Sequence, residues 1–266
     1  MRLAIHGVDR VLRLFNPSRR RARWPIKLGV GLVVTTLVLF PRVDLLVRNI
    51  GHWARLDLMI EPDAPGLAKL EAEVRKRLPA DAAPAEALRV TEAVVYEAVA
   101  YAFDWETWGN ADYLPRVEET LAAGREDCDG QAVVAASLLK RMGYDARLMS
   151  DVGHVWVWTP EGESMSPSPL AGGEVFLRQG ERGAELNWGA VFNWRSIVFD
   201  WGRNLSYGIA VFPMWRELAL VVMAWVLMLG RRTRWGVAIT GLGPVSYTHL
   251  RAHETKANLV CRLLLE

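Results

Sequence analysis

Cys128 and His154 bracket the stretch CDGQAVVAASLLKRMGYDARLMSDVGH, and they are the two residue types that thiol-based acyl transfer requires. A cysteine becomes a useful nucleophile when its thiolate is stabilised. The first turn of a helix does this with free backbone N–H groups and the positive end of the helix dipole. CDGQAVVAASLLKRMG (128–143) reads as a helix with Asp127 as its N-cap and Gly143 at its C-terminal end, which puts Cys128 in that first turn. The same amides can donate to the oxyanion of a tetrahedral intermediate. Histidine titrates near neutrality, so it can take the thiol proton and return it to a leaving group. Asp127 and Asp129 flank the sulfur, and their charge opposes thiolate formation. Neither a C-x-x-C nor an H-x-x-x-H spacing surrounds the pair, so no metal site is expected.

The elements around the pair follow from patterning. YDARLMSD and HVWVWTP alternate as strands do, and EGES turns the chain toward MSPSP. A helix packed on such a sheet brings its first turn beside the start of the histidine strand. Upstream, PGLAKLEAEVRKRL (65–78) and AEALRVTEAVVYEAVAYAF (85–103) carry apolar residues at helical spacing. DWETWGNADYLP (104–115) reads as a loop, and residues 170–204 as partly irregular chain. The middle of the protein is therefore expected to be α then β.

The segment from Asp104 to Val157 resembles the core of bacterial transglutaminase-like proteins, within the papain-like thiol-enzyme superfamily. The shared features are the WG…DY loop, the EDCDG-x-A helix start, the LL-x-R-x-G-Y-x-A-R-L passage and GHVWV. The resemblance implies an α+β, papain-like (transglutaminase-like) core: a helix bearing Cys128 packed on a small antiparallel sheet bearing His154. It implies Cys128 as nucleophile and His154 as base of a cysteine hydrolase or acyltransferase acting on peptide or isopeptide amide bonds, with no cofactor. The family's third member is the acid of an L-D-P-T-like motif. Here that motif reads Met165-Ser166-Pro167-Ser168, so Ser166 stands in the acid's place. A hydroxyl can bond a ring nitrogen but cannot stabilise an imidazolium by charge. Asn187, Asn193, Glu161 and Glu163 are the other candidates for that role. Trp105 and Trp108 either line the acyl-binding cleft or pack the domain. The alternative function is an impaired domain of the same fold that binds a peptide or protein.

Charge is distributed in three blocks. Residues 1–50 hold ten Lys/Arg against two Asp/Glu, residues 51–204 fifteen against twenty-five, and residues 205–266 seven against three. An acidic middle argues against nucleic acid as a partner. Basic ends suit a chain whose termini lie on the cytoplasmic side of a membrane. LGVGLVVTTLVLF (28–40) and PMWRELALVVMAWVLMLGRRTRW (213–235) are the two runs that carry the apolar stretches. The expected organisation has a basic cytoplasmic N-terminus at 1–23 and a membrane anchor helix at 24–49. An extracytoplasmic domain at 50–204 follows, then a second membrane helix at 205–235 with a basic inner flank. This puts the domain on the outer face of a bacterial inner membrane. No assignment is made for 236–244. Residues 245–266 resemble a translated sequencing adapter, so Cys261, His249 and His253 carry no expectation of chemistry.

Overall fold

The computed structural model describes residues 20–79, 82–151, 153–165 and 175–228. The chain divides into two compact units, one spanning Arg42–Asn204 and the other made of the two flanks. Helix α1 (Arg20–Leu39) belongs to the flanking unit. The central unit runs through α2 (Val43–Ala54), α3 (Leu67–Arg77), α4 (Pro84–Ala98), β1 (Ala100–Tyr101), α5 (Asp104–Thr107), α6 (Val117–Ala123), β2 (Arg125–Glu126) and α7 (Cys128–Arg141). Strands β3 (Arg147–Ser150), β4 (Val155–Thr159), β5 (Gly162–Ser164), β6 (Leu177–Gly180) and β7 (Gly183–Leu186) follow, then the short helix α8 (Trp188–Phe192). Helix α9 (Trp194–Val211) leads to α10 (Met214–Met228).

The protein is a mixed α+β fold with a small antiparallel sheet. Its centre is α7, which is apolar around its whole circumference because it is covered on every side. From Ala132 to Ala136, and again at Leu138 and Leu139, its residues have no exposed surface. Helices α3, α4 and α6 cover one part of it, and β3 and β4 cover another. The helix ends where the sequence says it should. Gly143 takes the left-handed φ of 99°, and Tyr144 N–H reaches the Leu139 carbonyl at 3.0 Å in a Schellman cap. The sheet runs in the order β5-β4-β3-β6-β7 with every neighbour antiparallel. In its register Leu148 faces Val157 and Met149 faces Trp156, so Leu148 and Val157 line the fully buried side against α7.

Several expectations shift. The helix expected over 85–103 stops at Ala98, because β1 leaves it to pair in parallel with β2. The loop 104–115 contains the one-turn helix α5, and the chain expected to be irregular holds the β6–β7 hairpin, α8 and most of α9. The segment 24–49 is not a single helix: α1 stops at Leu39 and α2 restarts at Val43, across Pro41. Proline lacks an N–H and pushes its predecessor out of the helical region, so a break there is expected chemistry. The segment expected as one helix over 205–235 is interrupted at Pro213 in the same way, with Leu205–Val211 and Met214–Met228 bent by 116°. Among the described residues no single helix is long and apolar enough to cross a membrane. Residues 1–19 and everything from 229 onward, including the basic inner flank, lie outside the described residues.

Gly130, in the first turn of α7, is set by contact rather than by φ. A Cβ there would stand 2.2 Å from Glu126 Cγ and 2.8 Å from Pro115 Cγ, both in the packed interior. Gly51, on exposed α2, has nothing within 4 Å. Gly130→Ala is therefore expected to destabilise the protein by about 1–3 kcal/mol. Gly51→Ala, which gains helix propensity without a clash, should be neutral or stabilising. Paired thermal melts followed by circular dichroism check both.

Candidate active site

Cys128 opens α7, and the cap is the expected one: Asp127 Oδ1 accepts from Asp129 N–H at 3.2 Å. The helix start meets the start of β4. The N–H of Val155, the residue after His154, points at the Cys128 sulfur, and Asp127 lies within electrostatic range of the His154 ring. A tight turn sets the histidine. Asp151 Oδ1 accepts from both Gly153 N–H and His154 N–H at 2.8 Å, and Asp151 N–H returns to the His154 carbonyl at 3.1 Å. The imidazole stacks on Trp156 with the planes 10° apart. Its Nε2 lies 3.0 Å from the Met165 carbonyl oxygen. A carbonyl only accepts, so Nε2 carries the proton and Nδ1 carries the lone pair that a base needs.

The electrostatics work against a resting thiolate. Burial pushes the Cys128 thiol up, and the charges of Asp127 and Asp104 push it further, against some help from Val155 N–H. The carboxyls are themselves crowded. Asp104, Glu126, Asp127 and Asp129 each bring one oxygen to within 4.8 Å of the others. Burial raises all four. Asp104 is pushed up to about 12 and Glu126 to about 7, with Asp127 the leading charge on Asp104. Neutral donors bond two of them: Tyr113 N–H bonds Asp104, and Asp127 N–H and the Trp108 indole bond Glu126. The raised carboxyls hold protons, and their all-oxygen donor set is also of the kind a hard cation accepts. No sequence motif marks this group, since its acids come from α5, β2 and the start of α7.

The sequence-derived candidates separate cleanly. Cys128 and His154 are brought to the same helix–strand junction. Ser166 lies outside the described residues. Asn187 caps α8 through Gly189 N–H and donates to the Val175 carbonyl, which occupies both ends of its amide away from the histidine ring. Asn193 ends α8. Glu163 sits in β5 opposite Trp158 and, like Glu161, is exposed. Trp108 packs edge-on against Tyr113 while holding Glu126, and Trp105 stacks on Phe103 with ring centres 4.3 Å apart. Two residues that sequence reasoning missed also belong here. The Met165 carbonyl holds the ring, and Tyr96 on α4 feels the Cys128 charge, its phenol pushed up to about 12 by burial and by Glu92. A backbone carbonyl leaves no letter in the sequence, and Tyr96 looks like any other tyrosine on an amphipathic helix.

No protein-family model and no curated protein sequence matches the chain.

The raised carboxyls have a consequence for stability. Because Asp104 and Glu126 hold protons in the folded state that the unfolded chain gives up at ordinary carboxylate pH, stability falls as pH rises from that range through about 7 and beyond. With a chelator present, so that protons alone can neutralise the cluster, the melting temperature should drop by at least about 5 °C between pH 5 and pH 8. Asp104→Asn should flatten that slope. A slope unchanged by the substitution would place the pH dependence elsewhere.

Proposed function

We propose that this protein is a transglutaminase-like, papain-like cysteine hydrolase or acyltransferase that cleaves or transfers peptide or isopeptide amide bonds through Cys128 and His154. One observation carries the reading: the start of the cysteine helix meets the start of the histidine strand, with the ring held through Nε2 so that Nδ1 is the free base. In the reaction, Cys128 Sγ attacks the amide carbon as its proton passes to His154. The tetrahedral intermediate places its oxyanion near the first-turn amides of α7. The proton then goes to the departing amine as the C–N bond breaks, leaving a thioester. Water or a second amine attacks the thioester, and the thiol recovers its proton. The raised thiol requires the base to act during attack, since no standing thiolate waits for the substrate.

The same raised thiol favours a second reading, in which the domain keeps the fold and binds a peptide or protein without turnover. In both readings the flanks hold the domain at a bacterial inner membrane with the acidic central unit outside. The basic–acidic–basic charge order supports this, as do the exposed apolar side chains Trp24, Leu28, Leu32 and Val33 on α1 and Trp215 and Met228 on α10. Among the described residues neither flank offers one unbroken spanning helix, so the proposed attachment is through helices interrupted at Pro41 and Pro213.

Alkylation of Cys128 by iodoacetamide at pH 7, followed peptide by peptide so that Cys261 is excluded, separates the two readings. The enzyme reading expects His154→Ala to slow labelling by about tenfold or more. Slow labelling that ignores the His154 substitution would leave the binding module.

A further inference from the structure

The end of β5 is fastened to α4 at two successive turns of that helix. Ser164 Oγ donates to the Leu88 carbonyl at 3.4 Å, and Met165 N–H donates to Glu92 Oε2 at 3.3 Å. Leu88 and Glu92 are four residues apart, so they lie one above the other on a single face of α4. Glu92 also accepts from the Tyr96 hydroxyl, one further turn along the same face. Between these contacts and His154 stands Met165, fully packed at 2% exposure. It is the one non-glycine residue with positive φ among those described, at 57°.

That conformation matters because of where it sends the two backbone groups. In an extended strand the N–H and C=O of one residue point to the same side and bond the same neighbour. In a helical-type conformation, left-handed included, they point in opposite directions. Met165 therefore holds Glu92 with its N–H and His154 with its carbonyl, and a single residue bridges α4 to the imidazole. A buried side chain with a Cβ does not adopt this backbone freely, so something outside the residue has to hold it. Of the groups bonded to it, the Glu92 carboxylate is the acceptor able to do so.

We infer that Glu92 is a positioning residue for His154: by anchoring Met165 N–H it fixes the left-handed turn whose carbonyl holds the imidazole. The third position of the site is thus supplied by backbone, and α4 supplies its support. Glu92 acts as a hydrogen-bond acceptor, and its charge is secondary. This rests on the proposed Cys128–His154 pair.

The test compares Glu92→Ala, Glu92→Asp and Glu92→Gln in the full chain, using the pH profile of Cys128 alkylation by iodoacetamide together with the melting temperature. Glu92→Ala removes the acceptor, and Glu92→Asp keeps the charge but withdraws the oxygen by one methylene. Both should slow His154-dependent labelling near pH 7 by about tenfold and bring its pH profile to that of His154→Ala. Glu92→Gln, whose Oε1 accepts from Met165 N–H, should restore the wild-type profile. The inference is overturned by wild-type labelling in Glu92→Asp, or by a Glu92→Gln profile as depressed as that of Glu92→Ala. His154→Ala serves as the reference. If it labels like wild type, the Cys–His pair itself is wrong; if it is slow while the Glu92 variants are normal, only the positioning role is lost.

Discussion

The meeting of the first turn of α7 with the first residue of β4 is the contact on which the rest of this protein depends. Val155 N–H reaches the Cys128 sulfur, and everything around it serves to hold that junction in one place. The helix behind the sulfur is fully buried from Ala132 to Ala136 and cannot slide without opening the core. The strand is fixed from the other side by the Asp151 turn, which ties two successive N–H groups to one carboxylate oxygen. Both partners of the junction are thereby immobilised.

The same junction concentrates negative charge where a thiol enzyme has reason to avoid it. Asp127 and Asp129 flank the sulfur, and Asp104 and Glu126 converge on them from two other elements. Burial resolves the crowding by favouring protonated carboxyls, which is why Asp104 and Glu126 are displaced upward instead of toward stronger acidity. The thiol is displaced in the same direction for the same reason. The sulfur at the head of α7 is therefore held as the thiol. Whether an oxygen-seeking cation or protons balance the cluster sets how much of that opposing field the sulfur feels.

The imidazole illustrates a different economy of means. Thiol and serine enzymes commonly orient histidine with a carboxylate or an amide side chain. Here a main-chain carbonyl, that of Met165, fixes the protonated nitrogen, and a turn in an unusual conformation presents it. A carbonyl orients the ring as firmly as an acid does, but it offers less stabilisation to an imidazolium.

Sequence pattern by itself determined the local elements and marked Cys128 and His154 as the candidates for chemistry. Asp127 and Gly143 bound α7 because capping chemistry is local, and the alternation of HVWVW marked β4 because side chains on a strand alternate faces whatever lies beyond. Those same letters placed Cys128 at a helix start and His154 at a strand start. Tertiary structure decided what no short window contains. Asp104 and Glu126 become partners of Asp127 and Asp129 only when α5, β2 and α7 converge. The ring acquires its anchor only because β5 folds back onto α4, and the segments expected as single membrane helices, 24–49 and 205–235, are interrupted at Pro41 and Pro213, where proline leaves a backbone group without its bond. Local rules act through neighbouring dihedrals and travel with the sequence, whereas pairings between distant segments exist only after the chain has closed on itself.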